Sequence, residues 1–310
     1  MTPFKLLPCF ALLLFLCAGL HAQTVDDGIM VAKHNLFIGS FYTNDSWDHY
    51  WEGHLNRNNG NLGTVTTQTS TWYVDYGVTD RLDLIASVPY IWTRASQGVL
   101  HGMQGYQDMT LAAKYSFIDR PITRFGTLKA IAVASGAFPL TNYEPDFQPL
   151  SIGNQSKRVS GRFTLNFQAK AGWYINGSSG YTFRDNVLLD VPYYYTNGQF
   201  YPTNDVTMPD VFDYVAAGGY RKHRVLAEAS FAQQRTQGGG DIRRQDMPFI
   251  SNHVNFSKVG MRIMYQIPKA RTLTLQFAFS YIPDGRNIGQ SETYTTGLMY
   301  TFELHGRHKK

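Results

Sequence analysis

The feature that most constrains this chain is an alternation of apolar and polar residues that recurs from about Asn35 to Leu304. Between 273 and 281 every odd position holds Leu, Phe or Tyr, whereas the even positions hold Thr, Gln, Ala and Ser. Successive residues of a β-strand point to opposite faces, so a period of two gives each strand one apolar and one polar face. The preceding run repeats the pattern, and its polar face carries Lys258 and Arg262.

The start of the chain decides between two folds that use such strands. In a soluble sandwich the polar faces meet solvent, whereas in an outer-membrane barrel the apolar faces meet lipid and the polar faces line a lumen. Lys5 precedes an apolar run from Leu6 to Leu20, and Ala22 offers a small residue for cleavage. This arrangement is typical of a secretory signal peptide, and the run is shorter than the roughly 20 residues that a helical span needs. The sequence therefore predicts an all-β chain, a transmembrane antiparallel β-barrel in the outer membrane of a Gram-negative bacterium.

The composition agrees with a barrel and argues against some classes of binding partner. The mean hydropathy is −0.27 although 15% of the residues are aromatic, a combination expected when apolar residues are dispersed by alternation. Cys9 and Cys17 both lie in the signal peptide, so the mature chain has neither a disulfide nor a thiolate metal site. The formal net charge is +5, and a basic tail at 305–310 supplies three positive charges. The nearly balanced remainder argues against a nucleic-acid partner.

Strand counting gives the layout of the barrel. Twelve runs of period two lie near 33–44, 63–76, 81–94, 106–117, 127–139, 159–175, 181–195, 210–221, 224–234, 252–267, 272–282 and 292–304. The gaps after even-numbered runs are short, and those after odd-numbered runs are mostly long. Bacterial barrels have tight periplasmic turns and long external loops. We therefore expect about twelve strands, with ten or fourteen as alternatives, and both termini in the periplasm.

The expected domains follow from this count. Residues 1–22 form the signal peptide, 23–32 a short periplasmic segment, 33–304 the barrel and 305–310 the basic tail. The segment before the first strand is too short to be a plug domain, which argues against a large energised transporter.

One block resembles a known family. The chain reads WYVDYGVTDRLDL at 72–84, VPY at 88–90 and GYQDMTLAAKY at 105–115. These motifs are similar to those of the outer-membrane barrels of the phenol-degradation MetA-pathway family, although Gln107 stands where that pattern more often has Gly. The resemblance implies an outer-membrane barrel that transports hydrophobic or aromatic compounds.

The face assignment places a set of charged residues toward the lumen. The candidates are Asp75, Asp83, Asp108, Lys114, Arg162, Lys170, Asp213, Arg221, Glu228, Lys258, Arg262 and Glu303. Facing lipid at the bilayer midplane, each basic residue would cost about 2–4 kcal/mol. Two interpretations stay open: salt bridges that stiffen a narrow barrel, or a charged constriction that orients a permeating solute.

The aromatic residues also divide into two groups. Those near strand ends on the apolar face, such as Trp72 and Trp173, fit interfacial girdles. Tyr193, Tyr194, Tyr195, Phe200 and Tyr201 lead into an external loop, where they either pack on the barrel mouth or form a vestibule for an aromatic solute.

An enzyme barrel is the alternative from another class. A lipid hydrolase needs a serine paired with a histidine. No histidine has an evident serine partner at a fixed strand spacing, and His253 near Ser251 or Ser257 is the one pairing left open. His49 and His54 with nearby acids are the closest approach to a metal cluster, and solvated loop charge explains them. We expect no enzyme, no metal and no cofactor.

The sequence therefore predicts a monomeric channel for passive passage of small molecules, with hydrophobic or aromatic ones suggested by the resemblance. Its expected partners are outer-membrane lipids, lipopolysaccharide and the solute itself. A structural or adhesive barrel with a side-chain-filled lumen is the alternative, because twelve strands lie between the eight that side chains can fill and the sixteen or more that leave an aqueous channel.

Overall fold

A computed structural model describes residues 24–304 apart from 245, 269 and 271. The predicted signal peptide and basic tail, 1–22 and 305–310, lie outside the described residues. Among the residues described, no helix is long and apolar enough to span a membrane.

Twelve long strands form one closed antiparallel barrel. They are β1 Asn35–Trp47, β2 Val65–Thr79, β3 Leu82–Ala95, β4 Asp108–Thr123, β5 Gly126–Pro139, β6 Arg158–Ala169, β7 Trp173–Arg184, β8 Val211–Lys222, β9 Val225–Thr236, β10 Asn255–Gln266, β11 Leu273–Arg286 and β12 Glu292–Glu303. Each strand pairs with its sequence neighbours, and β1 also pairs with β12 from Asn35–Glu303 to Ser46–Glu292. Closure leaves no unpaired edge, which a lipid environment requires. The prediction of a twelve-stranded transmembrane barrel is confirmed.

The connections alternate in length around the barrel. The turns at 80–81, 124–125, 170–172, 223–224 and 267–272 are short, whereas the connections at 48–64, 96–107, 140–157, 185–210 and 237–254 are long. The sixth external connection, at 287–291, is shorter. Two of the long loops contain short strand pairs of their own. The loop at 48–64 contains His49–Glu52 with Leu55–Asn58, and the loop at 185–210 contains Val187–Leu188 with Asp205–Val206 and Tyr194–Thr196 with Gln199–Tyr201.

The boundary between β6 and β7 differs from the sequence prediction. The turn expected at 176–180 lies inside β7, and the turn is instead at 170–172, where Gly172 has a φ of 112°. The Gly and Ser residues at 177–180 belong to the strand, and Gly180 leaves room there for the large lumen side chain of Arg162. A Cβ on Gly180 would lie 2.9 Å from Nη2 of Arg162. Residues 187–195, expected in the seventh strand, lie in an external loop.

The outward faces are apolar and exposed, and aromatic residues lie near the strand ends. Trp173 of β7 is 65% exposed and its ring lies 5.4 Å from that of Tyr220 on β8. Tyr265 and Tyr300 lie at the same end of the barrel and are exposed as well. At the opposite end Tyr90 contacts Tyr106 edge to face, with 5.0 Å between ring centroids. These positions suit girdles at the two membrane interfaces.

The segment before β1 lies inside the barrel and not in the periplasm. Asp27, Ile29, Met30 and Val31 are at most 8% exposed. Asp27 forms ion pairs with Lys114 of β4 and Arg262 of β10, which stand on different sides of the wall. The prediction of a periplasmic segment at 23–32 is wrong for these residues, because their apolar side chains pack against apolar residues of the inner wall.

Candidate functional site: the barrel lumen

The periplasmic half of the lumen is filled by the N-terminal segment 24–33, here called the plug. Its apolar side chains pack on two sides. Ile29 and Val31 join a cluster with Phe37, Leu226, Met264 and Met299, whereas Met30 joins Ile85, Ala112, Ile131 and Val133. Alternation places these wall residues on the inward face, so the lumen has an apolar floor beneath its polar part.

Lys114 fastens the plug to the wall. Its ammonium group donates hydrogen bonds to the carbonyl oxygen of Thr24, at 2.8 Å, and to Oδ1 of Asp27, at 2.9 Å, and its side chain is fully buried. The Asp27 carboxylate also accepts from the backbone amides of Thr24 and Ile29. A buried charge is tolerated only when it is paired and hydrogen-bonded, and both conditions hold for this pair.

Further hydrogen bonds hold the plug along its length. Nδ2 of Asn176 donates to the carbonyl oxygen of Asp26 at 2.9 Å, and the amide of Val31 donates to Oδ2 of Asp83 at 3.0 Å. The amide of Lys33 donates to Asp80, in the turn between β2 and β3. The plug therefore enters from the end with the short turns, the predicted periplasmic end.

A second charged cluster continues from the plug across the lumen. Arg262 lies 3.0 Å from Oε1 of Glu228 and 3.9 Å from Oδ2 of Asp27. The hydroxyl of Tyr174 donates to Oε2 of Glu228 at 2.7 Å, and the guanidinium of Arg221 lies 5.5 Å above the Tyr174 ring. Arg262 therefore links the plug to three wall strands.

Two separate ion pairs lie nearer the external end. Arg162 of β6 pairs with Asp213 of β8 across β7, and its Nη1 donates to the hydroxyl of Ser178. Asp108 pairs with Arg158 at 3.1 Å and accepts a 2.6 Å hydrogen bond from the hydroxyl of Tyr143, in an external loop.

Asp75 of β2 and Asp83 of β3 lie close to the plug, and each has at least one buried oxygen without a hydrogen-bond partner among the described residues. Asp75 and Asp83 are fully buried, and among the described residues neither oxygen of Asp75 has a hydrogen-bond partner. The positive charge of Lys114 acts on both carboxyl groups. Lys114 therefore interacts electrostatically with the carboxyl groups of Asp75 and Asp83 in addition to its ion pair with Asp27.

The twelve predicted lumen residues do not all lie in one place. Ten of them belong to these clusters or to the inward wall. Lys258 is one of the ten, and its ammonium lies 5.6 Å from the Phe256 ring. Lys170 is exposed in the turn at 170–172, so its placement in the lumen is wrong, because β6 ends at Ala169. Glu303 is exposed at the last position of β12, at the rim.

Sequence analysis predicted Lys114 and Arg262 as lumen residues but missed their partner Asp27 and the apolar wall residues that pack on the plug. A signal was present: Phe37, Ile85, Leu226, Met264 and Met299 interrupt the polar faces near the short turns. Apolar residues on a lumen face need an apolar partner, and the sequence Ile29-Met30-Val31 supplies it.

Two cavities lie above the plug. The first, of about 190 Å³, is lined by plug and wall residues including Asp26, Asp27, Asn176, Glu228, Arg262, Thr293 and Thr295. The second, of about 290 Å³, lies between the external loops and is here called the vestibule. Its lining includes Trp47, Tyr50, Phe249, Ile250, Ile288, Gln148 and Asn154.

The loop at 237–254 is fixed at the barrel mouth. Asp241 accepts from Nε of Arg286 at 2.7 Å and from Nη2 at 2.8 Å, a bidentate pair, and Asn287 donates to it as well. The hydrogen bond from Arg286 lowers the pKa of the Asp241 carboxyl to about 2.

Tyr194 stacks on Phe249 with 5.2 Å between ring centroids, so part of the aromatic hairpin at 193–201 packs on this loop.

Two arrangements considered in the sequence, a His253–serine pair and a metal cluster, do not form among the described residues. His253 donates its backbone amide to Gly240 and its carbonyl accepts from Asn287, and no hydrogen bond within 24–304 joins it to Ser251 or Ser257. No cluster of three His, Asp or Glu residues in the described chain could hold a metal ion.

Comparison with known protein families assigns the chain to one of them. The family described as MetA-pathway of phenol degradation matches residues 60–296, more than half of the chain. The protein belongs to this family. The motifs at 72–84, 88–90 and 105–115 lie within the match, so the resemblance seen in the sequence is confirmed. No match was found among curated proteins.

Solved structures of outer-membrane barrels share the architecture. An outer membrane channel from Pseudomonas putida F1 is 13% identical with a TM-score of 0.69, and the alignment covers 90% of this chain and 100% of that one. The NanC porin is 9% identical with a TM-score of 0.46, covering 84% of this chain and 98% of that one. The CymD monoaromatic hydrocarbon channel is 9% identical with a TM-score of 0.42, covering 89% and 90%. The first similarity agrees with the fold of a transmembrane β-barrel.

Proposed function

We propose that this MetA-pathway barrel is a channel for passive passage of small hydrophobic or aromatic molecules across the outer membrane, closed at its periplasmic end by the plug. The observation that carries the proposal is the vestibule. Binding pockets for small molecules measure about 300–1,000 Å³ and combine apolar walls with a few polar groups. The vestibule, of about 290 Å³, has Trp47, Phe249 and Ile288 in its wall together with polar side chains such as Gln148 and Arg184. A solute collected there would enter the polar cavity below.

The charged lumen residues have a second part in this proposal. Arg162, Asp213, Lys258 and Arg262 line the path between the vestibule and the plug, where they would orient a polar group on the solute and exclude ions of the wrong sign. Removal of the plug by movement or partial unfolding completes the path, without covalent chemistry or a cofactor. The cleaved signal peptide, the monomeric state and contact with lipopolysaccharide belong to the same proposal.

A structural barrel is the second candidate, because the plug and the ion pairs already fill the periplasmic half of the lumen. The two candidates differ in what happens when the plug is displaced. A channel conducts, whereas a barrel filled by its own wall residues stays closed.

The experiment is uptake of radiolabelled phenol by porin-deficient Gram-negative cells with and without the protein, with radiolabelled glucose as a polar reference. We expect the protein to raise phenol uptake several-fold and glucose uptake much less. Ile288→Asn makes the vestibule polar and should remove most of the gain. Val99→Asn, at an 89% exposed loop residue outside the vestibule lining, is the matched control and should keep it. Equal phenol uptake with and without folded protein would refute the proposal.

A further inference from the structure

The vestibule contains a single charged side chain among the described residues that line it. Apart from Arg184, its lining consists of aromatic and aliphatic residues, prolines, a glycine and side-chain amides, and it includes no carboxylate. Ligand pockets use a small number of polar groups in a largely apolar wall to fix the orientation of the ligand. Arg184 is therefore the group in this vestibule that can select a ligand by its charge.

The guanidinium group of Arg184 has no partner within the described part of the chain. Arg184 is the last residue of β7 and stands opposite Arg158 of β6 on the inward face. Arg158 is paired with Asp108 at 3.1 Å, whereas Arg184 forms neither an ion pair nor a side-chain hydrogen bond among the described residues. Like charges directly opposite each other on a sheet destabilise it, so an anion beside Arg184 is favourable.

Asp210 is the nearby acid, and its carboxylate is engaged elsewhere. Its Oδ1 accepts a hydrogen bond from the backbone amide of Arg184 at 3.0 Å, and its Oδ2 accepts one from the hydroxyl of Tyr181 at 3.0 Å. The negative charge of Asp210 acts on Arg184, but the two side chains form no ion pair in the described structure. The N–H donors of the guanidinium therefore remain available to a ligand.

A second polar group of the vestibule is also available. Gln234 of β9 is half-buried, and its side-chain amide forms no hydrogen bond with any described residue. Trp47, Phe249 and Ile288 supply apolar surface in the same cavity. The vestibule thus combines an apolar wall that can hold a ring with a planar cation and an amide that can bind polar substituents.

We propose that the vestibule binds small aromatic carboxylates, with the ring against Trp47, Phe249 and Ile288 and the carboxylate on Arg184. A guanidinium group binds a carboxylate through two parallel hydrogen bonds, a geometry that lysine does not offer. The volume of about 290 Å³ lies at the lower end of the range of ligand pockets and suits an acid with one ring. The assignment rests on the proposed function and names an anionic class of solute within it.

The measurement is isothermal titration calorimetry of benzoate and of benzamide with the purified full-length barrel in detergent. Benzamide has nearly the shape of benzoate but carries no charge, so the difference between the two affinities reports on recognition of the carboxylate. We expect benzoate to bind about tenfold more tightly than benzamide, because the hydrogen bonds from Arg184 are charge-assisted.

Variants at one position separate charge from geometry. Arg184→Gln should remove the preference for benzoate and leave the affinity for benzamide unchanged. Arg184→Lys keeps the charge but not the planar fork and should keep only part of the preference. Arg244→Gln, at an exposed arginine outside the vestibule lining, is the matched control and should bind both compounds as the wild type does. Heat-modifiable migration checks folding.

Equal affinities of the wild-type barrel for benzoate and benzamide would overturn the assignment and leave the vestibule as a site for neutral aromatic compounds. A benzoate preference that survives Arg184→Gln would overturn it as well. Binding of neither compound by the folded wild-type barrel would count against the proposed function too. Should Arg184→Gln fail to fold, Arg184→Lys decides, because an unchanged preference in that variant contradicts bidentate recognition.

Discussion

At the scale of single residues, the molecule is organised by one buried cation. Lys114 holds Asp27 and stands beside Asp75 and Asp83, so one ammonium group offsets three carboxyl groups. The period of two in β4 is enough to turn Lys114 away from lipid. It does not say which acid Lys114 contacts, because its partner lies in a segment that has no periodicity.

Replacing Lys114 by Met should destabilise the folded barrel strongly. The change keeps the length of the side chain but removes the closer of the two cations that face the buried Asp27, and leaves only Arg262 at 3.9 Å. Removing one partner of a buried ion pair costs about 3–5 kcal/mol. The free energy of unfolding, from urea titration followed by tryptophan fluorescence, measures the effect. Lys258→Met is the control, since Lys258 forms no ion pair among the described residues, and it should change stability by much less. Equal losses in the two variants would contradict the role of Lys114.

The loop at 237–254 should stay fixed down to strongly acidic pH. The pKa of Asp241 falls from 3.8 in the unfolded chain to about 2 in the folded protein, because Arg286 hydrogen-bonds its carboxylate. A lowered pKa means that the pair contributes fully above pH 4 and is lost as the pH falls through about 2. Proteolysis within the loop by an acid protease should therefore rise between pH 4 and pH 2. In Asp241→Asn cleavage should be fast throughout, and a parallel pH profile in both proteins would rule out Asp241 as the cause.

At the scale of elements, the sequence predicts the number and order of the strands well and some of their boundaries poorly. Nine of the twelve runs place both ends of their strands within about four residues, because full alternation between turns is unambiguous, whereas β4 extends six residues beyond its predicted end at 117, to Thr123. The Gly-Ser stretch at 177–180 has the composition of a turn, yet it lies in β7, where Gly180 leaves space for Arg162 and Asp213. Turn composition is a local property, whereas the need for small residues beside large lumen side chains becomes visible only when the neighbouring strands are in register.

The turn between β8 and β9 offers a stabilising substitution. It has two residues, His223 and Arg224, and His223 has a φ of 59°. A left-handed conformation costs a residue with a side chain about 1–2 kcal/mol relative to Gly. His223→Gly should therefore raise the free energy of unfolding by about 1 kcal/mol, whereas Arg224→Gly, at an ordinary φ, should lower it through the greater entropy of the unfolded chain. Stabilisation by Arg224→Gly and not by His223→Gly would contradict this account of the turn.

At the scale of the whole molecule, the barrel is a wall with three levels inside it. Apolar contacts with Ile29, Met30 and Val31 form the floor, ion pairs occupy the middle, and the loops enclose the vestibule at the mouth. Strand number, closure and orientation were predictable, since they follow from periodicity and from loop length. The position of the plug was not predictable in the same way, because its ten residues have no periodic pattern. Only the apolar residues on the lumen face of the wall indicate that this segment packs inside the barrel.

Single-channel conductance in planar bilayers measures whether the plug closes this lumen. Gly28 is packed against Asn166 so closely that a Cβ would lie 2.2 Å from its Cγ, whereas a Cβ on Gly60 would meet nothing within 4 Å. Gly28→Leu should expel the plug and raise conductance several-fold, deletion of 24–31 should raise it further, and Gly60→Leu should match the wild type. A folded deletion variant with unchanged conductance would contradict the claim and leave a barrel closed by its own wall.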